Sequence, residues 1–196
     1  MSKQKLLLTK LIVGLALIPC IIFANPTSDI KQTSMQSMIP AAPQVNSKAY
    51  ILIEANSDQV IAEKNSEQIL PPASLTKVMT MYIASEALKN GQIKATDKVH
   101  ISKKAWQAEG ARMFVKQGSN VEIKELINGI VIASGNDATI ALAEHIAGSE
   151  DSFAEMMNIT AQRLGMKNSH FVNATGLPHK DHYTTAKDLS ILAEQK

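Results

Sequence analysis

The chain has 196 residues, 45% apolar, 19% charged and 4% aromatic, an ordinary globular composition that excludes wholesale disorder, collagen and coiled coil. Twenty basic residues face 18 acidic ones, a formal charge of +2, so nothing makes the basic surface that nucleic acid needs. The one cysteine, Cys20, permits neither an internal disulfide nor a cysteine metal cluster.

Residues 1–24 read as a secretory signal. Lys3, Lys5 and Lys10 precede an uncharged run from Leu11 to Ala24. That run is shorter than the roughly 20 residues a bilayer core takes, and it ends on a small residue. Cleavage after Ala24 leaves 17 basic and 18 acidic residues. Residues 25–45, rich in Ser, Thr, Gln and Pro, read as a spacer. Ala49–Glu54 and Gln59–Glu63 flank Asn56-Ser57-Asp58 and predict a β-hairpin. Pro71-Pro72 keeps a helix from starting earlier. Ser74 to Asn90 then predicts a helix stopped by Gly91. Its apolar residues surround most of the cylinder, so it is expected to be buried nearly all round.

Lys98–Ser102 is a short strand candidate. Ile123–Ala133 and Asp137–Ala147 predict two helices, with the breaker Ser134-Gly135-Asn136 between them. Gly148 ends the second. Ser149 caps a third, which runs to about Leu164 and stops at Gly165. Ser169–Val172 is extended and residues 176–182 form a polar loop. Thr185 with Asp188 predicts a capping box opening a last helix.

Two clusters can carry chemistry. Ser74 and Lys77 stand three apart at a helix start and so share a face. A serine hydroxyl is a poor nucleophile without a base. A lysine serves as that base only if its pKa falls toward working pH. Burial and the positive end of the helix dipole both act in that direction. The same S-x-x-K spacing recurs at Ser2/Lys5 and Ser28/Lys31, in the signal and the spacer, where it is a chance match. Ser134-Gly135-Asn136 is the second cluster. Its serine can relay a proton, and its amide can hold a peptide group or the lysine. An ordinary helix–helix turn also favours these three residues. His179 and His182 flank Asp181, but no further ligand cluster supports a zinc site there. Trp106 and the methionines read as core or groove lining.

In order, these motifs resemble those of the low-molecular-mass penicillin-binding proteins, the serine D-alanyl-D-alanine carboxypeptidases. The matching stretches are Ala49-Tyr50-Ile51-Leu52-Ile53, Pro72 to Thr80, Ser134-Gly135-Asn136-Asp137-Ala138, Asn173-Ala174-Thr175-Gly176-Leu177 and Tyr183 to Asp188. The resemblance implies an α/β (α+β) fold of the β-lactamase/transpeptidase type, a helical cluster on an antiparallel sheet, over residues 46–196. It implies Ser74 as nucleophile, Lys77 as general base, Ser134 as proton relay and Asn136 as the substrate-positioning amide. The implied substrate is a peptidoglycan stem peptide ending in D-Ala-D-Ala, with β-lactams as mimics and no cofactor. The implied setting is the periplasm or the outer face of the cytoplasmic membrane, with membrane contact only through a C-terminal segment not present here.

The family's third motif, K-[ST]-G, does not occur; Lys116-Gln117-Gly118 has the wrong middle residue and precedes Ser134. That motif's strand supplies an oxyanion donor, whose loss costs on the order of 10²–10³ in rate. The expectation is therefore that these residues are the N-terminal part of such an enzyme, poorly stable and inactive as they stand. A D,D-endopeptidase of the same family is a close alternative, and a non-catalytic remnant that binds at the wall is another. A class A β-lactamase would need an E-x-x-L-N stretch after Asn136, and none occurs.

Overall fold

The computed structural model describes residue 42 and residues 45–195. The predicted signal, nearly all of the predicted spacer and Lys196 lie outside these described residues. Helices dominate, joined to two small antiparallel sheets. Strands β1 (Tyr50–Ile53) and β2 (Val60–Lys64) form the expected hairpin, with Tyr50 opposite Lys64 and a register shift after Leu52. The Glu54 carboxylate ties its tip by accepting from the backbone N–H groups of Asn56 and Ser57 at 3.0 and 2.8 Å. A 3-10 turn over Ala73–Leu75 leads into helix α1 (Thr76–Lys89). Ser74 thus lies in the tighter turn and not in the α-helix proper, because Ala73 adopts φ +48° just before it.

Strand β3 (Lys98–His100) is shorter than predicted, and Ser102 instead caps the short helix α2 (Lys103–Trp106), accepting from Ala105 N–H at 3.0 Å. Strand β4 (Asn120–Glu122), not foreseen, pairs with β3. Helices α3 (Ile123–Ala133), α4 (Asn136–Ala147), α5 (Glu150–Leu164) and α6 (Ala186–Ala193) follow. Each stop obeys the sequence. Gly148 and Gly165 close α4 and α5 at φ +81° and +85°, a conformation open to glycine at no Cβ cost. Ser149 caps α5 by accepting from Ser152 N–H. At α6 only half of the capping box forms. Thr185 accepts from Asp188 N–H, but the Asp188 carboxylate turns away to Asn168 N–H and the Ser169 hydroxyl. Two isolated bridges, Leu70 with Thr184 and His170 with Tyr183, tie the late loop back to the chain.

Helix α1 is the shared spine of two apolar clusters. Ala84 and Ala87 join Val99, Ile101, Leu126, Ile130 and Leu142. Met79 and Ile83 join Phe153, Met157, Met166 and Phe171. The helix is therefore buried on two sides and not all round. Val78 is 41% exposed, because it lines an open groove beside Ser74. Met79, Met157 and Met166 are core, as expected. Trp106 is not core: α2 is one turn long and leaves its indole 42% exposed.

Candidate active site

The turn, the helix and a distant loop meet at Lys77. Its side chain is only 6% exposed. Its Nζ lies 3.5 Å from Ser74 Oγ, 2.7 Å from Asn136 Oδ1 and 2.9 Å from the Thr175 carbonyl oxygen. Burial holds the Lys77 ammonium below the usual lysine range. Those three acceptors suit an ammonium. They suit a neutral amine in another way: its two N–H bonds fill the two short contacts, and its lone pair then faces the third and longest, the Ser74 hydroxyl. Ser74 itself is exposed and opens into a cavity of about 350 Å³, lined by Lys77, Val78, Met81, Ile130, Val131 and Ser134. A larger concavity of about 700 Å³ beside β1 and β2 includes Ser66 and Lys187, but their side chains bond separately to Glu63 and Glu67.

The other predicted residues come from the α3–α4 junction. Ser134 is the left-handed cap of α3, at φ +52° and ψ +34°, and it lines the same cavity as Ser74. Among the described residues no hydrogen bond joins its hydroxyl to Lys77 or Ser74. Asn136 opens α4 with its carboxamide engaged at both ends. Oδ1 accepts from Lys77, and Nδ2 donates to the Glu109 carbonyl at 2.7 Å. It positions the lysine directly, which leaves one N–H for any other partner. Gly135 sits where a Cβ would meet Asp137 Oδ1 at 3.0 Å and Met113 N at 3.1 Å. Asp137, 1% exposed, accepts from four backbone N–H groups, those of Met113, Phe114, Val115 and Ala138. Residues 109–115 are thereby fastened beside Asn136.

Sequence reasoning singled out 173–177 as a matching stretch without assigning it a job. It crosses the start of α1. The Ala174 carbonyl accepts from Thr80 Oγ1 at 2.8 Å, and the Thr175 carbonyl accepts from Lys77. Asn173 Oδ1 accepts from the backbone N–H groups of Thr175 and Gly176, which shapes the loop. Gly176, at φ +87°, has no room for a side chain. A Cβ there would overlap the Ala73 carbonyl and lie 2.9 Å from Thr76 Oγ1. The glycine signal was visible in the sequence; the role of a backbone carbonyl, 98 residues from Lys77, carries no signal at all. His182 faces the Thr76 hydroxyl. Among the described residues no group of three metal-ligating side chains forms.

Comparisons with known proteins identify the family. A sequence model described as D-alanyl-D-alanine carboxypeptidase matches residues 36–196. The D-alanyl-D-alanine carboxypeptidase DacF of Bacillus subtilis is 41% identical over 192 residues, covering 98% of this chain and 48% of that protein. DacA of Escherichia coli K12 is 38% identical over 194 residues, covering 96% of this chain and 47% of its own length. This chain thus spans about half the length of those curated relatives. The crystal structure of the D-alanyl-D-alanine carboxypeptidase DacD from Francisella tularensis superposes with a TM-score of 0.77 at 37% identity, covering 83% of this chain and 41% of that one. With two structural motifs, an α/β fold and this extent of identity in agreement, the chain belongs to the family of serine-type D-alanyl-D-alanine carboxypeptidases, the low-molecular-mass penicillin-binding proteins.

Proposed function

We propose that the protein is an exported serine hydrolase that removes the terminal D-Ala from peptidoglycan stem peptides ending in D-Ala-D-Ala. The observation that carries this reading is the buried Lys77 amine, fixed by Asn136 and Thr175 with Ser74 Oγ at its third position. In this reading the neutral amine takes the Ser74 proton as Oγ bonds to the carbonyl carbon of the scissile peptide. The turn carrying Ser74 stands at the N-terminus of α1, where the helix dipole favours the developing negative charge. When the C–N bond breaks, the proton passes from Lys77 through Ser134 to the leaving D-Ala amine. Water then cleaves the acyl-serine ester. A β-lactam enters by the same first step, and its ring nitrogen stays tethered instead of leaving. Asn136 holds the lysine and offers its remaining N–H to substrate.

Residues 46–196 form part of the catalytic domain in this reading, preceded by a signal over 1–24 and a spacer over 25–45. The mature protein works in the periplasm or on the outer face of the cytoplasmic membrane. A fluorescent penicillin should label the chain in its full natural length, and Ser74→Ala should abolish the label. Persistent labelling of Ser74→Ala would remove Ser74 from its role. Digestion of a stem pentapeptide and of a crosslinked dimer, with products resolved by mass, separates terminal trimming from crosslink cleavage.

A further inference from the structure

His182 is a buried titratable group to which the chemistry above assigns nothing. It is 3% exposed, although residues 178–181 before it are all exposed. Its ring meets Phe171 edge-on, with centroids 5.6 Å apart. Its Nδ1 accepts from Val172 N–H at 3.1 Å. A ring nitrogen that accepts carries no proton, so the proton of the neutral imidazole sits on Nε2. Nε2 lies 2.8 Å from Thr76 Oγ1 and therefore donates to it.

Thr76 is fully buried and stands between Ser74 and Lys77 in the chain. Its hydroxyl is held on one side by the imidazole. On the other, Gly176 closes over it and over the Ala73 carbonyl. Ala73 is the left-handed residue that sets the turn presenting Ser74. The route from His182 to the serine is thus one hydrogen bond and one tightly packed turn.

We infer that His182, acting through Thr76, is a positioning residue that fixes the separation of Ser74 Oγ from Lys77 Nζ; this rests on the serine–lysine reading given above. A proton added at Nδ1 would set a donor against the Val172 N–H and break the brace. The titratable groups that act on the ring are His170 and His179, both on its own segment. The Asp181 carboxylate lies toward His179, 3.9 Å from its Nδ1. Burial first, then His170 and His179, hold His182 down at about 4, so the imidazole stays neutral and the brace intact at neutral pH.

The test uses the full chain carrying Thr76→Val, His182→Leu or His182→Gln. Acylation by a fluorescent penicillin is followed from pH 4 to 8, and Lys77 titration is followed by NMR in the same samples. A carboxamide at 182 keeps one acceptor and one donor but does not titrate. Thr76→Val and His182→Leu should slow acylation by about 10- to 100-fold, the scale of a small misplacement of reacting groups, and should move the Lys77 titration up toward an ordinary lysine. His182→Gln should restore both and remove only that part of the fall near pH 4 that exceeds the decline caused by Lys77 protonation. Rates within twofold of wild type in Thr76→Val and His182→Leu, with an unmoved Lys77 titration, would overturn the brace. So would a His182→Gln chain that melts like wild type yet acylates no faster than His182→Leu. If the unmodified chain takes no penicillin at all, the serine–lysine reading falls, and the Lys77 titration alone still decides whether the brace exists.

Discussion

As the base proposed for Ser74, Lys77 must be a cation easy to discharge and a side chain hard to move. Burial meets the first demand by disfavouring the ammonium. The Asn136 and Thr175 oxygens meet the second at 2.7 and 2.9 Å. Arginine at this position keeps a charge but cannot act as a base. Lys77→Arg should therefore lower acylation of Ser74 by about 10²–10⁴, the usual worth of a general base, as a rate measurement with fluorescent penicillin will read. Because the proposed active form is the neutral amine, the rate should rise with pH, and its midpoint should fall below that of an ordinary lysine. His182 gives the opposite kind of signal, one of stability. Its native pKa of about 4 lies below the unfolded value of 6.5. Between those values the unfolded chain holds a proton that the native chain does not. Stability from this group is intact above pH 6.5 and is lost as pH falls through 4, on the order of 3 kcal/mol. Urea melts at pH 7 and pH 4 should differ by less in His182→Gln than in wild type.

Elements, not single residues, decide where the lysine points. The α3–α4 junction brings Asn136, and the 173–177 loop brings Thr175. Gly176→Ala tests the second. It places a methyl group against the Ala73 carbonyl at φ +87°. The expected loss is about 2–3 kcal/mol from strain and displacement, accompanied by weaker labelling of Ser74. Gly165→Ala, also at positive φ but with nothing near its Cβ, should cost only about 1 kcal/mol and leave labelling intact. Asp137→Asn tests the junction. A carboxamide has one oxygen where four backbone N–H groups now share two. Thermal melts should show a loss of about 2–3 kcal/mol, within the range for buried donors left unpaired. Much of this scale was legible in the sequence, since caps and stops are local. Ser149, Gly148, Gly165 and Thr185 each act within a few residues of where they stand. Strand β4 was not legible. Three residues, Asn120–Glu122, gain their identity only from pairing with β3, and no period can be read in so short a run. The 3-10 turn was also hidden, because nothing in an alanine announces a φ of +48°.

Across the whole molecule, α1 belongs to both apolar clusters, so the two halves of the described core cannot loosen independently. Phe153→Ala and Leu142→Ala remove fully buried side chains from different clusters. Each should cost about 3–5 kcal/mol, and calorimetry should still record a single unfolding transition for either one. The fold class came from the family resemblance, with the order of hairpin, buried helix and capped helices in support. The serine–lysine pair was readable from its spacing only together with its place at the start of a buried helix. The Thr76–His182 contact was not, since 106 residues separate its partners and the histidine stood out only as an unsupported zinc-ligand candidate in a polar loop. The cradle around Lys77 has one more consequence. Its depressed basicity comes from burial, with no neighbouring cation contributing, and its fixed partners are uncharged amide and carbonyl dipoles. Sodium chloride weakens attraction or repulsion between ions across about a Debye length but does little to a desolvated group among neutral dipoles. Proton transfer at Ser74 should thus run at nearly the same speed in dilute and in concentrated brine.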